Sequence, residues 1–131
     1  MIKKAIVCVD DEVIIVLSLI HELRSRIGEG FRYESAINPA EAREVIKELL
    51  NDGVTDITLI TDWLMPGVKG NDFLLEIKNN YPKINSILIT GQASDEMIKQ
   101  IRKEAGVYSV FTKPWNSADL IDAVISSFEK Q

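Results

Sequence analysis

Asp10, Asp11 and Asp62 each follow a short run of β-branched and aliphatic residues, and Thr90 and Lys113 close two further runs of the same kind. In a chain that alternates strand-like and helix-like stretches, residues just past the strands gather at one edge of the sheet, where open α/β folds place their ligands. Three carboxylates within about 4 Å of one another repel by roughly 4 kcal/mol per pair at an effective dielectric near 20, so such a group needs a cation or protons. Hard oxygen donors suit Mg²⁺, which keeps several waters and takes one or two protein carboxylates together with a phosphate group. Lys113 offers a point charge that can pair with an Asp at rest and with a phosphate when one arrives. The Thr90 hydroxyl can donate to a phosphate oxygen, and Gly91 beside it allows close backbone approach. Singly, these residues have ordinary readings: an Asp pair in a solvated loop, a surface lysine, a threonine ending a strand. Their common position past four different strands carries the functional signal.

The elements that must position them follow from periodicity. Lys4 to Val9 is a nearly continuous apolar run of the kind buried on both faces of a parallel sheet. A helix follows, with Val13, Val16, Leu17, Ile20, Leu23 and Ile27 at helical spacing and Gly28 at its end. Arg32 to Ala36 reads as a second strand, and Asn38-Pro39-Ala40-Glu41 as a helix start with Asn38 capping, Pro39 at the first position and Glu41 returning a bond. Strand three covers Ile57 to Thr61. A turn at Met65-Pro66-Gly67 leads to a third helix opened by Asn71 or Asp72, with Phe73, Leu74 and Ile77 inward and Pro82 as its stop. Ser86 to Thr90 is strand four, Ser94 or Asp95 begins helix four and Gly106 ends it. Ser109 to Thr112 is strand five, and a last helix from Asn116 or Ser117 buries Leu120, Val124 and Phe128. Five strands alternating with five helices predict an α/β three-layer sandwich, because right-handed crossovers put helices on both faces of a parallel sheet.

At 131 residues the chain has the length of one domain, expected over 1–131. Its net charge of -5 argues against general nucleic-acid binding, which calls for a basic face. The one cysteine, Cys8, sits in the first strand and cannot form an internal disulfide, which fits a reducing compartment. The longest apolar stretch, Val13 to Ile20, is too short to span a bilayer, and no signal-peptide pattern opens the chain, so a cytoplasmic protein without membrane association is expected.

Val9-Asp10-Asp11-Glu12, Thr61-Asp62-Trp63-Leu64-Met65-Pro66-Gly67, Gly70, Ile89-Thr90-Gly91 and Thr112-Lys113-Pro114-Trp115 together resemble, in order and over nearly the whole chain, the receiver domain of two-component response regulators. The resemblance implies a flavodoxin-like, doubly wound (βα)5 fold with strand order 2-1-3-4-5. It implies that Asp62 accepts a phosphoryl group from a phosphohistidine on a sensor histidine kinase or a histidine phosphotransfer protein, with self-phosphorylation and autodephosphorylation as the only intrinsic activities. Carried over by residue, Asp11, Asp62 and the backbone carbonyl of Leu64 would bind Mg²⁺, with Mn²⁺ able to substitute, and Asp10 would act mainly through water. Lys113 and Thr90 would hold phosphoryl oxygens, and the peptide before Pro114 would be cis. The switched surface would be helix four, strand five and helix five. The resemblance leaves the output domain or target unnamed and a phosphorylation-linked homodimer open.

The chain departs from the family at the switch. Receivers couple the threonine to an aromatic residue three positions before the lysine. Here that position is Val110, and the aromatic lies one place later at Phe111, on the opposite side of the strand because side chains alternate. Leu64 and Gln92, two residues past Asp62 and Thr90, are expected to tune the phosphorylated lifetime, and Trp63 to report on the site by fluorescence. Three other classes fit less well. A phosphohydrolase of the haloacid-dehalogenase kind places its nucleophile after the first strand with a second Asp two residues on, where this chain has Leu64. A degenerate interaction module would lack some of the acidic and lysine positions. A dinucleotide-binding domain would need glycines where Asp10-Asp11-Glu12 stand.

Overall fold

The computed structural model describes residues 1–62, 64–65, 68–91 and 94–129, with the backbone course alone at 64–65 and 68–71. Five parallel strands form one sheet: β1 (Lys4–Val9), β2 (Arg32–Ala36), β3 (Asp56–Asp62), β4 (Asn85–Thr90) and β5 (Ser109–Thr112), in the order β2-β1-β3-β4-β5. Helices α1 (Val13–Ile27), α2 (Pro39–Asn51), α3 (Gly70–Asn80), α4 (Asp95–Ala105) and α5 (Ser117–Glu129) connect and cover them. The fold is the flavodoxin-like three-layer sandwich of the doubly wound class. Leu64–Met65 and Val68–Lys69 pair as a short antiparallel ribbon between β3 and α3, a feature that the sequence pattern did not anticipate.

The central strands explain the layers. From Ala5 to Val9 every residue of β1 is buried, and alternate side chains enter different cores. Ala5, Val7 and Val9 pack with Ile57 and Leu59 against Ala42, Ile46, Leu49, Phe73 and Ile77 of α2 and α3. Ile6 and Cys8 join Ile60, Ile87 and Ile89 against α1 and α5. A third, smaller core of Leu74, Leu88, Ile101, Ala105 and Val107 lies under α4.

The predicted helix ends form as side-chain chemistry dictates. Asn38 Oδ1 accepts from the Glu41 N–H at 2.8 Å with Pro39 at the start of α2. Ser94 Oγ accepts from the Met97 N–H at 3.2 Å, and Asn116 Oδ1 from the Asp119 N–H at 3.0 Å. Gly106 closes α4 at φ 59°, a left-handed conformation that a β-carbon would penalise. At the far end of the sheet, Thr58 Oγ1 and Ser127 Oγ share a buried hydrogen bond of 2.7 Å, and Asn85 Nδ2 donates to the Ser127 carbonyl at 2.7 Å.

One predicted face is wrong. Val13 and Leu17 are 52% and 59% exposed, while Leu19, absent from the predicted stripe, is buried with Val16 and Leu23. The segment Val13-Ile14-Ile15-Val16-Leu17 is apolar around the whole helix, so spacing alone cannot choose the stripe. The start of α3 is corrected from Asn71 or Asp72 to Gly70.

Candidate functional site

Register brings the chemistry to one edge. Val9 lies opposite Ala36 and Thr61, Asp62 opposite Ile89, and Thr90 opposite Thr112. The strands therefore end level, and Asp10, Asp11, Asp62 and Lys113 emerge beside one another. Asp10 is tied on both sides: its N–H donates to the Ala36 carbonyl at 3.1 Å, and its Oδ1 accepts from the Glu12 N–H at 2.9 Å, leading the chain into α1. The N–H of Lys113 donates to the Thr90 carbonyl at 2.8 Å, which locks the end of β5 to β4. The Lys113–Pro114 peptide is cis.

Asp10, Asp11 and Asp62 each offer a carboxylate oxygen, all within 4.8 Å of one another. Asp10 and Asp62 are buried, and Asp11 is exposed. Lys113 Nζ donates to Asp62 Oδ2 at 3.0 Å and to Asp10 Oδ2 at 3.4 Å. Burial pushes the Asp10 carboxyl above the usual carboxylate range, and the Asp62 charge adds to this, against the pull of the Glu12 N–H and Lys113. Burial also disfavours the Lys113 ammonium, yet its bonds and charge pairing with Asp62 and Asp10 outweigh that and hold its pKa above the ordinary lysine value. Desolvation alone pushes the neighbouring Cys8 thiol up to about 12, so Cys8 is an inert core residue.

The donor set fits a hard divalent cation: it is all oxygen, anionic, and has one exposed member through which an ion can enter. Lys113 meanwhile neutralises part of the charge on the same carboxylates.

Thr90 is fully buried at the end of β4. Val110 packs at the margin of the core under α4, and Phe111 packs on the α1 and α5 side, so the alternation expected from sequence is realised in space. Leu64 lies on the ribbon two residues after Asp62. Trp63, Gln92, the Pro66-Gly67 part of the predicted turn and the Leu64 side chain lie outside the described residues. Ile15 and Trp115, neither of them assigned a role from sequence, line the wall beside Asp62. Trp115 carried a signal in its place two residues after Lys113, whereas Ile15 is one of five consecutive apolar residues and carried none.

Residues 6–125 match the model of the response regulator receiver domain. The chain belongs to that family. This receiver is 36% identical over 109 residues to the hydrogenase transcriptional regulatory protein HoxA of Cupriavidus necator, an overlap of 83% of this chain and 22% of that protein. It is 29% identical over 126 residues to the sensor kinase CckA of Brucella abortus, covering 96% of this chain and 13% of that one. The chain thus spans less than a quarter of the length of either relative. In fold, it superposes with a TM-score of 0.82 on the signal receiver domain of an HD domain-containing protein from Pseudomonas fluorescens Pf-5, at 23% identity, covering 99% of this chain and 90% of that one. Receiver domains are signalling phospho-acceptors that interact with histidine kinases or phosphotransfer proteins. Among the described residues no helix is long and apolar enough to cross a membrane.

Proposed function

We propose that residues 1–131 form one cytoplasmic receiver domain in which Asp62 accepts the phosphoryl group of a phosphohistidine on a sensor histidine kinase or histidine phosphotransfer protein. The observation that carries this reading is the Lys113 ammonium, 3.0 Å from Asp62 Oδ2 within a group of three carboxylates at the C-terminal edge of the sheet. An Asp62 oxygen forms the new P–O bond as the P–N bond breaks, and the imidazole leaves with the electron pair. Lys113 and the Thr90 hydroxyl hold phosphoryl oxygens, and Lys113 keeps the acceptor oriented before transfer. Asp10, Asp11, Asp62 and the Leu64 carbonyl would hold Mg²⁺, or Mn²⁺ in its place. Such an ion, when bound, supplies positive charge against which phosphoryl oxygens gather.

Phosphorylation adds nearly two negative charges at this edge. The Thr90 hydroxyl moves toward them, and the change reaches the surface of α4, β5 and α5 past Val110 and Phe111. Incubation with acetyl phosphate and Mg²⁺ should add one phosphoryl group by intact mass, and Asp62→Ala should add none. Equal addition in the variant would overturn the assignment of the acceptor, and turnover of many phosphate esters would point to a hydrolase.

A further inference from the structure

A cavity of about 10 Å³ lies beside Asp10, Thr61 and Asp62, and its remaining walls are apolar, with Cys8, Ile60, Ile89, Ile15 and Trp115 among them. A water molecule needs about 10 to 15 Å³ of such space and two to four polar partners. The cavity is at the lower bound in size, and Cys8, Ile60, Ile89, Ile15 and Trp115 give it an apolar wall. Ile15 comes from the first turn of α1, and Trp115 from the loop between Lys113 and α5, where it packs against the core of Cys8, Leu19 and Ile89. Both are half-buried, so the wall they make is also the boundary with solvent. Asp62 is itself buried, and it borders a space with room for no more than a single water.

An aspartyl phosphate has two electrophilic centres. Water attacking phosphorus forms a new P–O bond and breaks the bond to the Asp62 oxygen, which leaves with the electron pair as a carboxylate. Water attacking the acyl carbon forms a new C–O bond and expels phosphate with the electron pair of the old one. Both routes yield Asp62 and inorganic phosphate, and the water gives up its proton. They differ in which product carries the water oxygen.

We propose that Ile15 and Trp115 form an apolar shield on the acyl flank of Asp62, closing the carbon route and confining hydrolysis to phosphorus. The inference rests on the acceptor reading above and deepens it: these two residues regulate the lifetime of the same site. Exclusion of water from a reacting group is a recognised protective device, and here Ile15 and Trp115 stand between the small space beside Asp62 and solvent.

Hydroxylamine is the direct probe, because it attacks the acyl carbon and leaves a hydroxamate at Asp62 that intact mass and peptide mapping detect. The wild-type protein, Trp115→Ala, Trp115→Phe and Ile15→Ala are phosphorylated with acetyl phosphate and Mg²⁺, freed of donor and exposed to hydroxylamine. Hydroxamate formation should rise about tenfold in Trp115→Ala and Ile15→Ala, one decade per about 1.4 kcal/mol of barrier, and return toward wild type in Trp115→Phe. In ¹⁸O-water the wild type should place the label in phosphate, and the two alanine variants should also place it in Asp62. Phosphorylated variants with unchanged hydroxamate rates and label only in phosphate would overturn the shield and leave the acceptor reading intact. Failure of the wild type itself to take up phosphoryl would instead sink the acceptor reading.

Discussion

Lys113 holds the fold at the same carboxylates for which a function is proposed above. Its ammonium bridges Asp62 and Asp10, two buried carboxylates otherwise held near each other and near Asp11. Lys113→Ala should therefore lower the stability of the metal-free protein by about 1.5–3 kcal/mol, the size of hydrogen bonds to charged groups. Added Mg²⁺ should restore more stability to the variant than it adds to the wild type, since mass action favours the folded state that binds the ion. Thermal unfolding with chelator and with Mg²⁺ reads both effects, and a variant indifferent to Mg²⁺ would argue against a metal among these carboxylates. Asp10, Asp11, Asp62, Thr90 and Lys113 were legible in the sequence because each directly follows or closes a strand run, so counting to the strand end locates it. Ile15 and Trp115 were not legible as a wall, because their shared cavity arises from how α1 and the loop before α5 lean on the sheet.

Among the elements, α2 and α3 are joined by a pair that no local pattern announces. Arg43 Nε and one terminal nitrogen donate to the two Glu76 oxygens at 2.6 and 2.7 Å, across 33 residues of sequence, while the guanidinium lies 5.8 Å from the centre of the Phe73 ring. Hydrogen bonding by Arg43 holds the Glu76 carboxyl below the usual glutamate range. A carboxyl whose folded pKa is depressed contributes stability that is present above its unfolded value, and that stability is lost as the pH falls through the folded value. Both partners are about one-third exposed, so solvent screens the pair. Glu76→Gln should cost no more than about 1 kcal/mol at neutral pH. The difference from wild type should close on the acid side of about pH 4.3, the ordinary glutamate value. Urea unfolding of both proteins across that range is the measurement, and a gap that persists at the acid end would assign the loss to packing instead. The same distinction between local and long-range information explains the one misplaced helix face. The ends of α2, α4 and α5 were legible because a cap lies within three residues of what it bonds. The buried stripe of α1 was not, because Val13 through Leu17 offer apolar candidates in every direction and only docking on β1 and α5 selects among them.

At the scale of the whole molecule, the carboxylates and Lys113 belong to a different part of the sheet edge from the helix with the smallest core beneath it. Asp10, Asp11 and Asp62 sit at the ends of β1 and β3, strands fixed by the large cores on the two faces, and Lys113 follows the edge strand β5, which packs through Phe111 on one of them and through Val110 on the core under α4. Helix α4 supplies none of them and rests on the small core of Leu74, Leu88, Ile101, Ala105 and Val107. Its exposed side chains are largely charged, Lys99, Arg102, Lys103 and Glu104 among them. A segment with few buried apolar side chains opens at lower free energy than the rest of the fold. Amides of α4 should accordingly exchange with solvent faster than those of α1, α2 and α5, and phosphorylation should change protection in α4 more than in α2. Ile101 is the main anchor, being 2% exposed. Ile101→Ala should cost about 2–5 kcal/mol if the loss is felt globally. If α4 instead opens as a local unit, the variant should lose protection over 95–105 with little shift in the global transition. In either case phosphoryl uptake at Asp62 should persist under conditions where the variant stays folded, because Asp62 and Asp10 follow β3 and β1, whose buried residues lie in the two larger cores and not in that of Ile101. Loss of uptake in a demonstrably folded Ile101→Ala protein would show that α4 helps to build the reacting site as well as to report on it.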